Sequence, residues 1–284
     1  MKVLRLFNGI SGCHLALDEA NIEVDTLYYA EIDKYANKVT EKQYPNDIPL
    51  GDVTKWKDWN IEWSEIDLVT AGFPCQPWSV AGKGSGDKDE RGMLFWTTLD
   101  IIKKVLSNNP NAKFMLENVK MKKEFEEYIT HHTTEALGKV HKTLINSALV
   151  SAQNRNRYYW TNFEVSQPKD KGLVLSDIII DKESDKFVKD TVRNLRHERK
   201  YNQKSLACTA TMYKGAGNNG MSLIRRVAQK DNKLSVLTVN EAELLQTIPV
   251  DFTKGISNTQ RYKAIGNGWT IDVIAHIFKC AFNE

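Results

Sequence analysis

Ile66-Asp67-Leu68-Val69-Thr70-Ala71 runs directly into Gly72-Phe73-Pro74-Cys75-Gln76-Pro77-Trp78-Ser79. The first six residues form an apolar run that reads as a buried strand. In the next eight, a cysteine is held between two prolines. Proline removes a backbone donor and fixes φ, so Cys75 belongs neither inside a helix nor in a central strand. It must stand on a rigid loop at the end of the preceding strand. In an open α/β sheet the carboxyl ends of the strands are where ligands bind. A thiol displayed there reads as a nucleophile. The competing reading is a small buried core residue, because free cysteines are usually buried.

Working outward from this loop, residues 1–164 alternate strand-like and helix-like periods. Val3 to Phe7, Thr26 to Ala30, Ile66 to Ala71, Ala112 to Leu116, Thr143 to Val150 and Arg157 to Phe163 read as strands. Between them, Leu15, Ala16 and Ala20 mark one helix, and Tyr35, Ala36, Val39 and Gln43 a second. Met93 to Leu106 and Lys122 to Leu137 are two more, with apolar residues at three- and four-residue spacing. This alternation predicts an α/β fold with a mixed, mostly parallel sheet covered by helices on both faces. Residues 165–237 lose the period and form an irregular, loop-rich second piece. Thr238 and Glu241 then fit a capping box, and Ile271 to Phe282 carries a last apolar helix face. Residues 238–284 are therefore expected to return to the first domain as helices.

The 284 residues are 41% hydrophobic and 26% charged, as in a globular protein that buries a sizeable core. No apolar run reaches the length of a membrane span, and Met1-Lys2-Val3-Leu4-Arg5 lacks a signal-peptide core. A cytoplasmic protein with no membrane partner is expected. Cys13, Cys75, Cys208 and Cys280 show no metal-like spacing, so no metal is expected. The net charge is +3, but residues 165–237 hold 15 Lys+Arg against 8 Asp+Glu while the remainder balances at −4. A basic segment in a mildly acidic protein suggests a polyanion-facing module; a solvated lysine-rich surface is the alternative.

Phe7-Asn8-Gly9-Ile10-Ser11-Gly12 sits at the first strand-to-helix turn, where glycine permits close approach of a ligand. It lacks the third glycine of the dinucleotide fingerprint, which argues against pyrophosphate. Glu31 at the end of the second strand is placed to bond ribose hydroxyls, and Asp52 to meet an amino group. Read singly, both are equally ordinary loop carboxylates.

Five motifs in order carry a resemblance that spans nearly the whole chain. Phe73-Pro74-Cys75-Gln76-Pro77-Trp78-Ser79 resembles the catalytic loop of the cytosine-C5 DNA methyltransferases. Glu117-Asn118-Val119 is similar to that family's Glu-Asn-Val motif, and Gln153-Asn154-Arg155-Asn156-Arg157-Tyr158 to its arginine motif. Leu6 to Gly12 resembles its cofactor loop, and Gly266-Asn267-Gly268-Trp269 its terminal motif. The resemblance implies a Rossmann-like class I methyltransferase domain with a small target-recognition domain. The cofactor would be S-adenosylmethionine, leaving S-adenosylhomocysteine as product. Its pocket would be built from Phe7, Asn8, Gly9, Ile10, Gly12, Glu31, Ile32, Asp52, Val53, Pro74, Leu94, Asn267 and Trp269. Many family members carry an acidic residue where this chain has Arg5, which leaves the methionine-end contacts open.

The same resemblance assigns the chemistry. Thiolate attack by Cys75 on cytosine C6 makes C5 a nucleophile for the methyl group. Glu117 would deliver a proton at N3, Asn118 would orient the Pro74-Cys75 loop, and Arg155 and Arg157 would favour the thiolate or hold the base. The base must be flipped out of double-stranded DNA. Gln76, Ser79, Lys83 and Arg91, in and beside a glycine-rich lid over residues 80–91, would contact the nucleic acid. In the recognition domain Asn218, Asn219, Arg225 and Arg226 have suitable donors. A monomer is expected, with a cognate restriction endonuclease as a conceivable companion. Three alternatives remain: a tRNA cytosine-C5 methyltransferase, whose Cys-Phe-Thr signature is absent here; a non-catalytic DNA-binding regulator; and a thiol hydrolase, which would want a histidine partner.

Overall fold

The computed structural model describes residues 1–74, 92–180, 184, 186–214, 222–226 and 233–282. In chain order the strands are β1 (Lys2–Leu6), β2 (Thr26–Ala30), β3 (Ile48–Gly51), β4 (Leu68–Ala71), β5 (Lys113–Val119), β6 (His141–Asn146), β7 (Gln153–Asn154), β8 (Asn156–Thr161), β9 (Ser205–Leu206), β10 (Leu223–Arg225) and β11 (Leu234–Val236). The helices are α1 (Gly12–Ala20), α2 (Lys34–Gln43), α3 (Met93–Asn108), α4 (Lys123–Leu137), α5 (Val192–Leu195), α6 (Val239–Leu245), α7 (Asn258–Asn267) and α8 (Ile271–Phe282). Seven strands form one sheet in the order β3-β2-β1-β4-β5-β8-β6. The first five run parallel, and β8 is antiparallel to both β5 and β6. The mixed, mostly parallel sheet expected from the alternation is present.

Successive residues of a strand face opposite sides, and the core divides accordingly. Val3, Leu68 and Met115 point to one face, where Leu17 of α1 and Ile274, Ile277 and Phe278 of α8 cover them. Leu4, Val69 and Leu116 point to the other, under Phe95 and Ile102 of α3 and Ile129 of α4. Strands buried on both faces read as continuous apolar runs, and all four residues of β4 are buried.

Three details differ from the sequence reading. The strand expected over Thr143 to Val150 ends at Asn146, whose side chain accepts from Ala148 N at 3.0 Å and caps a one-turn 3₁₀ segment. β3 has no apolar signature because it is an exposed edge strand, the position where its Pro49 is tolerated. α7 is polar over most of its length, so no apolar stripe announces it. The capping box of α6 is formed: Thr238 Oγ1 accepts from Glu241 N at 3.2 Å, and Glu241 Oε2 accepts from Thr238 N at 2.8 Å.

Within 165–237, Leu175, Met212, Leu223, Ile224, Leu234 and Val236 share one apolar cluster with Ala242 and Leu245 of α6 and Ile265 of α7. The loop-rich segment is thereby fastened to the C-terminal helices.

Candidate active site

The ends of β1, β2, β4 and β5 open on a cleft of about 590 Å³. The turn after β1 is built from left-handed residues, with φ of 56° at Phe7, 61° at Gly9 and 61° at Ser11. Only glycine adopts that region without cost, so Phe7 and Ser11 must be held by their surroundings. Asn8 supplies the hold: its N–H donates to Ala30 O at 3.0 Å, and its side-chain amide donates to Thr40 Oγ1 at 3.0 Å and Ser11 Oγ at 3.2 Å. Glu31 ties this turn to the one after β2. Its Oε2 accepts from Gly9 N at 2.8 Å, and its Oε1 from Ile32 N and Asp33 N, both at 2.8 Å. Asp52 Oδ1 accepts from Thr54 N and Oγ1 at 2.9 Å, capping the turn after β3.

Phe7, Gly9, Glu31, Ile32, Asp52, Val53, Pro74, Leu94 and Asn267 all line the cleft, together with Glu117, Asn118, Arg155 and Arg157. Ile32 is 76% exposed at its rim, an apolar face turned to the opening. Asn8, Ile10, Gly12 and Trp269 lie instead on a smaller adjoining cavity of about 50 Å³. It shares Phe7, Gly9, Gly72, Glu117 and Asn267 with the large one.

Glu117 sits near the end of β5, at the edge of burial. Its Oε1 pairs with Arg157 Nε at 3.0 Å, and its Oε2 accepts from Trp269 Nε1 at 2.9 Å. Arg157 reaches it because β8 runs back alongside β5, setting Arg157 opposite Val119 and Tyr159 opposite Glu117. Next to it, Asn118 Nδ2 donates to Phe73 O at 3.3 Å while its Oδ1 accepts from Val119 N at 2.8 Å. That bond fastens the β5 end to the backbone just before Pro74. Trp269, expected among the cofactor residues, therefore acts here as a donor to Glu117.

Two expectations need correction. Arg155 was read as a source of positive charge for the thiol or the base. Its guanidinium is buried and donates to Cys208 O at 2.6 Å, Gly266 O at 3.2 Å and Gly268 O at 2.8 Å. Burial pushes its pKa down to about 10. It staples three backbone segments. Gln153, two residues earlier, does similar work, donating to Leu245 O and Gln246 Oε1 and accepting from Cys208 N. Arg225 and Arg226 were read as nucleic-acid contacts. Arg226 is 2% exposed and its fork is bidentate on buried Glu241, at 2.7 and 2.6 Å. Removing one partner of a buried ion pair is costly, and this pair fixes the end of β10 to α6. Arg225 donates to Glu198 Oε1 at 3.0 Å and Asp190 Oδ2 at 2.8 Å; these partners, Asp190 first, raise its pKa. Carboxylates of the same segment thus balance Arg225, and a carboxylate of α6 balances Arg226.

Cys75, Gln76, Ser79, Lys83, Arg91, Asn218 and Asn219 lie outside the described residues. Lys263 escaped the sequence reading, and Arg5 entered it only as a departure from the family pattern. Lys263 of α7 pairs with Asp33 at 3.2 Å on the cleft wall. Arg5 is buried beneath Trp269, its Cζ 3.7 Å from the ring centroid. The departure from the acidic residue common at that position was the available signal for Arg5; Lys263, on a helix without an apolar stripe, gave none.

Comparison with known proteins agrees with this architecture. The family model for C-5 cytosine-specific DNA methylases matches residues 1–216 and 190–283. The Type II methyltransferase M.NlaX of Neisseria lactamica is 29% identical over 97% of this chain and 94% of its own length. M1.ScrFI of Lactococcus lactis subsp. cremoris, also a Type II methyltransferase, is 31% identical over 96% of this chain and 76% of its own. A DNMT2 of Spodoptera frugiperda shares the fold, with a TM-score of 0.74 at 22% identity over 99% of both chains. With its sheet, its motif order and these relatives in agreement, the chain belongs to the C-5 cytosine-specific DNA methylases and is a DNA cytosine-5 methyltransferase.

Proposed function

We propose that this chain transfers a methyl group from S-adenosylmethionine to C5 of a cytosine flipped out of a short double-stranded DNA target, through a covalent bond between Cys75 Sγ and C6. The observation that carries the reading is Glu117. It faces the cleft with one oxygen on Arg157 and the other on Trp269, beside the Phe73-Pro74 backbone that Asn118 holds.

The cleft suits a phosphate-free adenosine. Two of its carboxylates, Glu31 and Asp52, stand among apolar side chains as acceptors for hydroxyl and amino groups. Glu31 keeps one acceptor position, on Oε2, for a ribose hydroxyl, and Asp52 Oδ2 has no hydrogen bond among the described residues. Phe7, Ile32, Val53, Pro74 and Leu94 supply apolar faces for the base ring. When bound, S-adenosylmethionine supplies an electrophilic methyl group. The chain does the rest. Pro74 fixes the backbone entering Cys75. Asn118 anchors the preceding carbonyl. In its protonated form Glu117 is placed to donate to cytosine N3 as negative charge develops on the ring, an interaction stronger in the transition state than in the ground state. Arg157 fixes the orientation of that carboxyl group.

In this reading residues 1–164 form the catalytic domain, 165–237 the target-recognition domain and 238–284 the returning helices. Double-stranded DNA is the partner, and the cytoplasm is the place of action. Among the described residues no helix is long and apolar enough to cross a membrane. Labelled methyl transfer to duplex DNA, measured beside transfer to tRNA, tests the substrate. Incorporation into duplex DNA alone is expected; incorporation into tRNA alone would replace the DNA reading.

A further inference from the structure

Arg5 takes no part in the reaction described above, yet it is a buried cation on the wall of the site. It is 4% exposed, and its Nε and Nη1 are buried without a hydrogen-bond partner. Among the described residues no carboxylate lies within ion-pairing distance of it. The nearby acids are engaged elsewhere, Glu117 by Arg157 and Trp269, and Glu31 by three backbone amides. Contact with the Trp269 ring offsets part of the desolvation cost. Burial lowers the guanidinium pKa only to about 10, so it remains charged at neutral pH.

The space in front of this cation is kept open. A side chain at Gly72 would begin 3.6 Å from Arg5 Nη2, 3.2 Å from Trp269 Nε1 and 3.1 Å from Glu117 Oε2. The small cavity beside it, about 50 Å³, is bordered by Arg5, Gly9, Gly12 and Asn267 and adjoins the large cleft. That is room for one planar anionic group. A guanidinium fork matches a planar carboxylate in two parallel hydrogen bonds.

We propose that Arg5 binds the α-carboxylate at the methionyl end of S-adenosylmethionine, so that the ligand completes an ion pair the folded chain leaves half made. This rests on the reading of the cleft as the S-adenosylmethionine site. The test is calorimetric titration of the full chain with S-adenosylhomocysteine and with its decarboxylated analogue. Wild type should prefer the carboxylated ligand by about 10- to 100-fold. Arg5→Met should lose roughly that factor for S-adenosylhomocysteine while keeping its affinity for the decarboxylated analogue within about threefold, which also reports an intact fold. Arg5→Lys, which keeps the charge and loses the fork, should fall between them and serves if the methionine variant does not fold. Equal weakening of both ligands, or weakening of neither, would overturn the assignment. Failure of wild type to bind either ligand would instead remove the reading of the cleft, and the assignment with it.

Discussion

At the residue scale the site turns on which polar atoms already have partners. Glu117 is held from both sides, so its carboxyl enters the reaction in one orientation. Glu117→Gln keeps the shape but cannot deliver a proton, and single-turnover methylation should slow by roughly 10²-fold or more; an unchanged rate would make Glu117 structural. Trp269→Phe removes the N–H donated to Glu117 Oε2. It should lower the single-turnover rate by less than Glu117→Gln does. The remaining thiols give a separate check. Burial raises Cys13 to about 11 and Cys208 to about 12, against an ordinary 9.0. Both should resist iodoacetamide at neutral pH in the native protein and react once it is unfolded. A raised thiol pKa stabilises the fold below the unfolded value and is lost as pH climbs through the folded one. Stability should therefore decline from about pH 9 towards pH 11 to 12. Rapid native labelling of Cys13 would contradict the packing of α1 on the sheet.

At the element scale, one antiparallel strand and one polar helix decide how the site is assembled. Gln153 and Arg155 fasten β7 and the chain after it to the turns around α6 and α7, and Arg157 on β8 reaches Glu117. Gly266 shows how closely these parts meet: a Cβ there would lie 2.1 Å from the carbonyl carbon of Thr209 and 2.4 Å from Ala210 N. Backbone cannot yield as a flexible side chain can, so Gly266→Ala should cost at least about 1–3 kcal/mol in urea denaturation. Arg226→Ala leaves the Glu241 carboxylate buried without its cation and should cost about 3–5 kcal/mol. Little or no loss of stability in that variant would return Arg226 to the candidate DNA contacts. Strong apolar periodicity made α1, α3 and α8 legible in the sequence, and the run before Gly72 made β4 legible. Edge strand β3 and polar α7 were not, because their places are set by neighbours and not by an apolar stripe. Arg225 and Arg226 misled for a related reason. Charge composition counts cations, but their acidic partners lie 35 and 15 residues away in sequence for the closest pairs, which composition does not reveal. Cys75 is legible from its flanking prolines, the apolar run before them and the resemblance of the loop to the family's catalytic motif.

At the scale of the whole molecule, the N- and C-terminal parts of the chain complete one another. α8 packs Ile274, Ile277 and Phe278 on the same sheet face as α1, and the apolar residues of 165–237 pack with α6 and α7. Residues 1–164 alone should therefore not fold. A cooperative thermal transition in that fragment would show that the C-terminal helices are dispensable. The central claim is that the intact chain methylates cytosine in DNA through Cys75. Bisulfite sequencing of plasmid DNA tests it most directly, using a host without cytosine methylation of its own that expresses either wild type or Cys75→Ser. The account predicts protected cytosines within one recurring short motif for wild type and none for Cys75→Ser. Plasmid without protected cytosines from wild type, or the same protected motif from the serine variant, would contradict it.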